Sequence, residues 1–203
     1  MISAIVFDIG GVLLRTEDYS GRRALEEKYA LEPGEVDRLV FNSQLADSST
    51  IGKINEDVVW NAIAEKLALS SQALYDFKAA FWSGDRLDQG LIQFLQDCRE
   101  DYITALLSNA WKNARETLAS KYGIVEGKTV DHILLSSELG VAKPDPKIFQ
   151  ILAATLACEF HQILFVDDFA ENIAAAQNLG IQVILYEPGM ALLPVLEEVL
   201  HVD

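Results

Sequence analysis

Apolar runs that end abruptly in polar side chains are the feature of this sequence best suited to chemistry. The first run, AIVF, leads the carboxylate of Asp8 into a glycine pair, Gly10 and Gly11. A carboxylate at the carboxyl end of a buried strand is a candidate nucleophile or metal ligand, and the glycines let the backbone approach a ligand or take a positive φ angle. Taken alone, this stretch is equally typical of an ordinary strand-to-loop turn that begins with aspartate.

Three later groups lie directly after an apolar run or in the loop that follows one. They are Ser108 with Asn109, Lys143, and Asp167 and Asp168 with Asn172 one helical turn further on. Taken singly, each has a structural explanation: the serine and asparagine can cap a helix, the lysine can be a solvated loop residue, and the aspartates can lie at a helix N-terminus. Because the carboxyl ends of parallel strands meet at one edge of a sheet, all three groups would converge on Asp8.

The carboxylates of Asp8, Asp167 and Asp168 would repel one another strongly at that edge unless a cation lay among them. A ligand set made only of oxygen atoms favours Mg²⁺. Ser108 offers a hydroxyl and a free backbone N–H, and Lys143 offers a positive charge, which together are what a phosphoryl oxygen needs. The combination predicts a magnesium site that acts on a phosphoryl group.

An alternation of strands and helices in the second part of the chain predicts how these groups are positioned. Beyond residue 85 the apolar patterns predict strands at 103–107, 132–135, 162–166 and 182–186, and helices at 87–98, 112–122, 146–157, 170–179 and 193–200. Asp145 can cap the helix that begins at Pro146. With the first strand, this alternation predicts an α/β fold, a Rossmann-like, doubly wound parallel sheet with right-handed crossovers.

A helical segment separates the first strand from the rest of the sheet. Residues 20–29, 35–45, 56–67 and 71–81 carry helical patterns with short turns between them, and no strand is evident from 16 to 85. The predicted domains are an α/β core of residues 1–15 and 86–203 and an inserted helical cap of residues 16–85, whose two crossings can act as hinges. Trp60, Phe77, Phe81 and Trp82 lie at helical spacings that are typical of an apolar cap core.

Composition limits the partners. The chain of 203 residues has a formal net charge of −15, which repels nucleic-acid phosphates and anionic lipid, so we expect neither as a partner.

The cysteines, Cys98 and Cys158, are far apart in the sequence and predict neither a disulfide nor a zinc site. The three histidines, which include His201, fall in no motif and receive no role. No apolar run is long enough to span a membrane and no basic leader precedes the first one, so we expect a soluble cytoplasmic protein, either a monomer or a homodimer.

The polar groups, in this order, resemble the four motifs of the haloacid dehalogenase-like (HAD-like) hydrolases. Motif one resembles residues 8–12, motif two Ser108, motif three Lys143, and motif four Asp167 and Asp168 with Asn172. The helical insert resembles the helical cap of the first type (C1) in that family, so the likeness extends over nearly the whole chain. The set of motifs is specific, although any single member is a weak signal.

This resemblance implies a metal site. Asp8 would be the nucleophile and also a metal ligand, and the carbonyl of Gly10 would be a second ligand. Asp168, together with Asp167, would complete a Mg²⁺ site, and Asn172 would orient the acidic pair.

The resemblance also implies a substrate site. Ser108 and Lys143 would hold the transferring group and act in catalysis with Asp8, and the substrate would also contact Gly10, Gly11 and Asn109. The implied activity is Mg²⁺-dependent hydrolysis of a small phosphomonoester, such as a sugar phosphate, through an aspartyl-phosphate intermediate.

Gly10 is the main departure from the family pattern. Most phosphatases of the family carry a second aspartate at this place, two residues after the nucleophile, and general acid–base catalysis is worth about 10²–10⁴-fold. The DxGGV form of motif one resembles that of small sugar-phosphate phosphatases and of the amino-terminal phosphatase domain of epoxide hydrolases. The glycine therefore weakens the case for activity without removing it.

Three alternatives remain to be weighed. A 2-haloacid dehalogenase also lacks the second aspartate, but it works without a metal, whereas the acidic pair here is intact. A response-regulator receiver has its acidic pair on the first strand and has no cap. A catalytically degenerate binding protein of the same fold is the third alternative, and Gly10 is its best support.

Overall fold

The centre of the fold is a five-stranded parallel sheet, in a computed structural model that describes residues 1–200. Its strands are β1 (Ala4–Phe7), β4 (Ile103–Ser108), β5 (His132–Leu135), β6 (Ile163–Asp167) and β7 (Gln182–Leu185), numbered together with two short strands, β2 (Leu14–Thr16) and β3 (Asp85–Leu87). The order across the sheet is β5-β4-β1-β6-β7. The predicted doubly wound α/β fold is thereby confirmed. Residues 201–203 of the predicted core, which include His201, lie outside the described residues.

The middle strand shows why the sequence AIVF forms the centre of the sheet. All four residues of β1 are fully buried. Ile5 and Phe7 belong to one apolar core, and Ala4 and Val6 belong to a second. A strand whose alternate residues enter two different cores is covered on both faces, as expected in a parallel sheet. The first polar side chain is that of Asp8, immediately after the strand.

The segment between the two parts of the sheet folds as a group of helices with an apolar core of its own. They are α1 (Ser20–Lys28), α2 (Glu35–Phe41), α3 (Gln44–Thr50), α4 (Glu56–Lys66) and α5 (Ser71–Phe81). The four aromatic residues expected in this core pack there. The single helix predicted at 35–45 is wrong, because Ser43 is extended and its hydroxyl accepts a hydrogen bond from the Ala46 N–H at 3.0 Å, which starts a second helix.

The remaining helices cover the sheet and lie close to their predicted positions. They are α6 (Gln89–Asp97), α7 (Ala114–Tyr122), α8 (Ser136–Leu139), α9 (Pro146–Leu156), α10 (Ala170–Asn178) and α11 (Leu192–Leu200). The carboxylate of Asp145 caps α9, as predicted, and accepts a hydrogen bond from the Lys147 N–H at 2.9 Å. The four-residue helix α8 was not predicted, since it is too short to show a helical period. Within residues 1–200, no helix is both long and apolar enough to cross a bilayer.

The two crossings between the helices and the sheet form an antiparallel ribbon of β2 and β3. Neither strand was predicted, because a strand of three residues is too short to show the alternation of apolar and polar side chains. The buried guanidinium of Arg22 donates to the Thr16 hydroxyl at 2.7 Å and to the carboxylate of Asp85 at 3.3 Å. It also donates to the carbonyl of Phe81 and pairs with Asp37. Arg22, a residue of α1, therefore ties three helices of the insert, α1, α2 and α5, to both strands of the ribbon.

Replacing Arg22 with alanine should destabilise the protein strongly. The carboxylate of Asp85 has only 6% of its side chain exposed, and it would lose its charged partner, which costs about 3 kcal/mol or more for a buried pair. Urea unfolding measures the loss. Arg23→Ala is the matched control, because Arg23 is exposed on the same helix and should change the free energy of unfolding by no more than about 0.5 kcal/mol. Equal losses in the two variants would contradict this account.

Candidate active site

The register of the sheet brings the predicted polar groups to one level. Phe7 of β1 pairs with Leu106 on one side and with Val166 on the other. The next residue of each strand therefore lies one step further toward the same edge: Asp8, flanked by Leu107 and Asp167. The Asp8 N–H donates to the Val166 carbonyl at 2.8 Å, so the ladder holds the backbone of Asp8 in place up to the edge.

The side chain of Lys143 lies in the middle of this level and is completely buried. Its ammonium group donates to the carboxylate of Asp167 at 2.6 Å and to the Leu107 carbonyl at 2.8 Å. The Asp8 carboxylate lies 3.1 Å away. The ammonium has three N–H donors and three oxygens around it, so its capacity for hydrogen bonds is satisfied. The explanation of Lys143 as a solvated loop lysine is excluded, and the structure brings it together with two of the predicted carboxylates.

The loop that carries Lys143 is fixed from the neighbouring strand. The side-chain amide of Asn109 donates to the Lys143 carbonyl at 2.8 Å and accepts from the Lys143 N–H at 2.8 Å. Asn109 therefore spans two loops rather than capping a helix. Ser108, the last residue of β4, is 5% exposed and lies one residue beyond the level of Asp8.

Asp167 is fully buried, and each of its oxygens has a donor. One oxygen accepts from the Phe169 N–H at 2.7 Å and from the amide of Asn172 at 3.0 Å. The other accepts from Lys143 and, at 3.1 Å, from the same Asn172 amide. The amide of Asn172 thus contacts both oxygens of Asp167.

Asp8, Asp167 and Asp168 form a cluster whose carboxylate oxygens lie within 4.8 Å of one another. Burial raises the pKa of Asp8 to about 6, with Lys143 acting to lower that pKa and Asp167 to raise it. Burial, followed by the charge of Asp167, also raises the pKa of Asp168, the most exposed of the three. Three carboxylates beside one ammonium leave an excess of two negative charges. An all-oxygen cluster with this excess fits a divalent cation such as Mg²⁺.

The two glycines after Asp8 differ in what they require. Gly11 has a φ of +81°, and a Cβ there would lie 2.0 Å from a carboxylate oxygen of Asp168. Any side chain would therefore displace that carboxylate. Gly10 has no positive φ, and a Cβ there would meet nothing within 4 Å. Within residues 1–200, nothing obstructs the Cβ of a side chain at this place.

Two polar contacts of the site were missed by the sequence analysis. The carbonyl of Leu107 was missed because a backbone acceptor has no sequence signal. The fully buried hydroxyl of Ser136 accepts from the Ala110 N–H at 2.9 Å and donates to the Thr50 carbonyl at 2.6 Å, which links the loop after β4 to the helical insert. Its signal was present, since Ser136 is the polar residue that directly follows β5.

The curated proteins that this chain resembles include one of about the same length and others that are much longer. The chain is 27% identical to D-ribitol-5-phosphate phosphatase from Bacteroides thetaiotaomicron, over 93% of this chain and 94% of that protein. It is 25% identical to bifunctional epoxide hydrolase 2 from Sus scrofa, over 100% of this chain but only 39% of that protein. The chain thus spans about a third of the length of the larger relatives that it matches.

Solved structures share the fold. A HAD family enzyme from Bacteroides thetaiotaomicron, in complex with magnesium and inorganic phosphate, superposes with a TM-score of 0.78 at 20% identity, over 96% of this chain and 99% of that one. The L-2-haloacid dehalogenase from Xanthobacter autotrophicus gives a TM-score of 0.68 at 21% identity, over 100% and 84% of the two chains. At these identities the likeness concerns the fold alone. The family model for haloacid dehalogenase-like hydrolases matches residues 2–180. The chain therefore belongs to the haloacid dehalogenase-like hydrolases, a family of enzymes.

Proposed function

We propose that this protein is a Mg²⁺-dependent phosphatase that hydrolyses small phosphomonoesters through a phosphorylated aspartate. The observation that carries the proposal is the fully buried Lys143, which is bound to Asp8 and Asp167 beside a third carboxylate, Asp168. A cluster with two negative charges in excess suits a divalent cation, and a cation held there can in turn bind a phosphoryl oxygen.

The groups proposed to hold the metal are the carboxylates of Asp8 and Asp168 and the carbonyl of Gly10, with Asp167 supporting them. When bound, Mg²⁺ supplies positive charge that offsets the carboxylates and polarises a phosphoryl oxygen. Asp167 is already bonded to Lys143 and Asn172, so we assign it mainly to holding the cluster together. Asn172 positions Asp167 in this scheme.

Asp8 is the proposed nucleophile. Its Oδ1 accepts from the Ile9 N–H at 2.6 Å and faces Lys143. Oδ2 makes no hydrogen bond within residues 1–200, which leaves it to attack phosphorus. A bond then forms between Oδ2 and phosphorus while the ester oxygen departs, and water later cleaves the aspartyl-phosphate to release inorganic phosphate.

Ser108 and Lys143 are proposed to hold the transferring group. Lys143 contributes its charge, because its three N–H donors already face protein oxygens, whereas Ser108 contributes its hydroxyl. The backbone of Gly10 and Gly11 and the Asn109 loop complete the proposed substrate site. We further propose the division into a core of 1–15 and 86–203 and a cap of 16–85, with the cap covering this edge of the sheet.

Sugar or sugar-alcohol phosphates are the proposed substrate class. The support is the 27% identity with D-ribitol-5-phosphate phosphatase over almost the full length of both chains. Magnesium and phosphate in a solved structure of the same fold are consistent with this choice. Displacement of halide, as in the dehalogenase of the same fold, is the second candidate, and Gly10 favours it. The intact acidic cluster argues against it.

Asp8→Asn should abolish turnover without unfolding the protein. The amide is almost isosteric with the carboxylate but is not a nucleophile, so hydrolysis of p-nitrophenyl phosphate in Mg²⁺ should fall by about 10³-fold or more. Steady-state rates with and without a chelator measure the effect. Asp97→Asn is the matched control, since Asp97 is an exposed residue of α6, and it should retain the wild-type rate. Turnover near the wild-type level in Asp8→Asn would remove Asp8 as the nucleophile.

Gly10→Asp should change which esters are hydrolysed fastest. Without an acid at residue 10 the departing oxygen carries its own charge, so the wild-type rate should depend steeply on the pKa of the leaving group. The aspartate can protonate that oxygen, and the open space at Gly10 accommodates it, so alkyl phosphates should gain more than aryl phosphates. Rates over a series of leaving groups test this, with Gly10→Ala as the variant that fills the space without an acid.

If the rate of folded Gly10→Asp still depends as steeply on the pKa of the leaving group, another group, such as Glu17 or Asp18, already donates the proton.

The stability of two alanine variants tests the conformation of the glycine loop. In Gly11→Ala the free energy of unfolding should fall by about 1–3 kcal/mol, because residue 11 has a positive φ angle and its Cβ would meet Asp168. Gly10→Ala should lose much less.

A further inference from the structure

The loop after β4 contains a tryptophan, Trp111, that packs against the helical insert. The loop itself connects two elements of the α/β core, β4 and α7. Trp111 lies three residues beyond Ser108, between β4 and α7. Its ring lies 5.8 Å from that of Trp60 at an interplanar angle of 81°, and 6.3 Å from that of Phe41. Trp60 and Phe41 are both residues of the insert, on α4 and α2.

These rings belong to one aromatic cluster, formed by Phe41, Trp60, Phe81, Trp82 and Trp111. Inside the insert, Trp82 packs edge-on against Phe81 at 4.6 Å, Phe41 at 5.9 Å and Trp60 at 6.4 Å. Trp111 is the member that the core supplies. Edge-to-face pairs at these separations are attractive beyond the area that they bury, so the pair with Trp60 holds the ring of Trp111 against the insert.

Three consecutive residues of the loop have three different partners. Asn109 exchanges two hydrogen bonds with the backbone of Lys143. The Ala110 N–H donates to Ser136, whose hydroxyl donates in turn to the carbonyl of Thr50 at the end of α3. Trp111 enters the aromatic cluster. The insert therefore cannot lift from the sheet without either breaking the contacts of Trp111 and Thr50 or pulling on the loop that follows Ser108.

We propose that Trp111 is a positioning residue that couples docking of the helical insert to the placement of Ser108 and Asn109. With the ring in the cluster, the loop is held at the edge of the sheet, where Asn109 fixes the Lys143 backbone. When the ring leaves the cluster, the loop loses one of its three attachments, and Asn109 and the hydroxyl of Ser108 at the end of β4 are held less firmly. Closure of the insert and completion of the site are then one event.

Amide hydrogen exchange of the full chain, read by mass spectrometry, tests the coupling without relying on any activity. Trp111→Ala should speed exchange in residues 107–113, which comprise the end of β4 and the loop after it, and also in the insert around residues 48–54. Trp111→Phe should restore most of the protection, because a ring still fills the cluster. Trp111→Leu, which keeps apolar bulk but no ring, should behave as Trp111→Ala and replaces it if the alanine variant does not fold.

Trp82→Ala is the matched control, because Trp82 lies in the same cluster and, within residues 1–200, its ring partners are Phe41, Trp60 and Phe81 of the insert. It should speed exchange in the insert and leave residues 107–113 protected. Unchanged exchange at 107–113 in Trp111→Ala would overturn the proposal, as would an equal increase there in Trp82→Ala.

The kinetic arm rests on the proposed phosphatase function. For p-nitrophenyl phosphate in Mg²⁺, Trp111→Ala should lower kcat/KM by roughly 10- to 100-fold, as expected for donors displaced by about 1 Å. The loss should lie mainly in kcat, and Trp111→Phe should recover it. A loss of thermal stability with kcat and KM unchanged would reduce Trp111 to a structural role. If the wild type shows no turnover, the proposed function fails while the exchange experiment still decides the coupling.

Discussion

The rest of the structure depends on the contacts that the buried ammonium of Lys143 makes with three oxygens. A charge with no exposed surface is tolerated only when its partners are fixed close by, because desolvation otherwise exceeds the attraction. The partners here come from three neighbouring strands: the Asp8 carboxylate after β1, the Leu107 carbonyl of β4 and the Asp167 carboxylate of β6. The register of the sheet is therefore a condition for burying the lysine.

A topological constraint determines how the helical insert can contribute. The chain leaves the sheet and returns through the ribbon of β2 and β3, where Arg22 joins the two crossings. A second junction lies at the loop after β4, where Ser136 binds the end of α3 and Trp111 packs on the insert. An insert attached at two places is restricted in how it can move, and the second attachment includes the loop that follows Ser108. That loop is fixed both to the insert and, through Asn109, to the backbone of Lys143.

The parts of this arrangement that a local pattern encodes were predictable from the sequence. A strand buried on both faces must be apolar throughout, so the end of AIVF marks the edge of the sheet and Asp8 as its first polar group. The grouping of Lys143 with Asp8 and Asp167 followed from the expectation of parallel strands whose carboxyl ends meet at one edge. The burial of Lys143 did not, because the direction of a loop side chain depends on the contacts of Asn109 with that loop. Trp111 was missed for a similar reason, since no spacing relates a ring to partners about 50 residues away.

The central claim is that the excess negative charge beside Lys143 binds a divalent cation. Thermal unfolding in Mg²⁺ tests this claim most directly. A cation bound only by the native state stabilises it by about 2.7 kcal/mol at 100 times its Kd, which raises Tm by roughly 5–10 °C for a chain of this size. We expect that rise in the wild type and little or none in Asp168→Asn, which removes one charge from the most exposed position of the cluster. An equal rise in both proteins, or no rise in the wild type, would contradict a magnesium site at Asp8, Asp167 and Asp168.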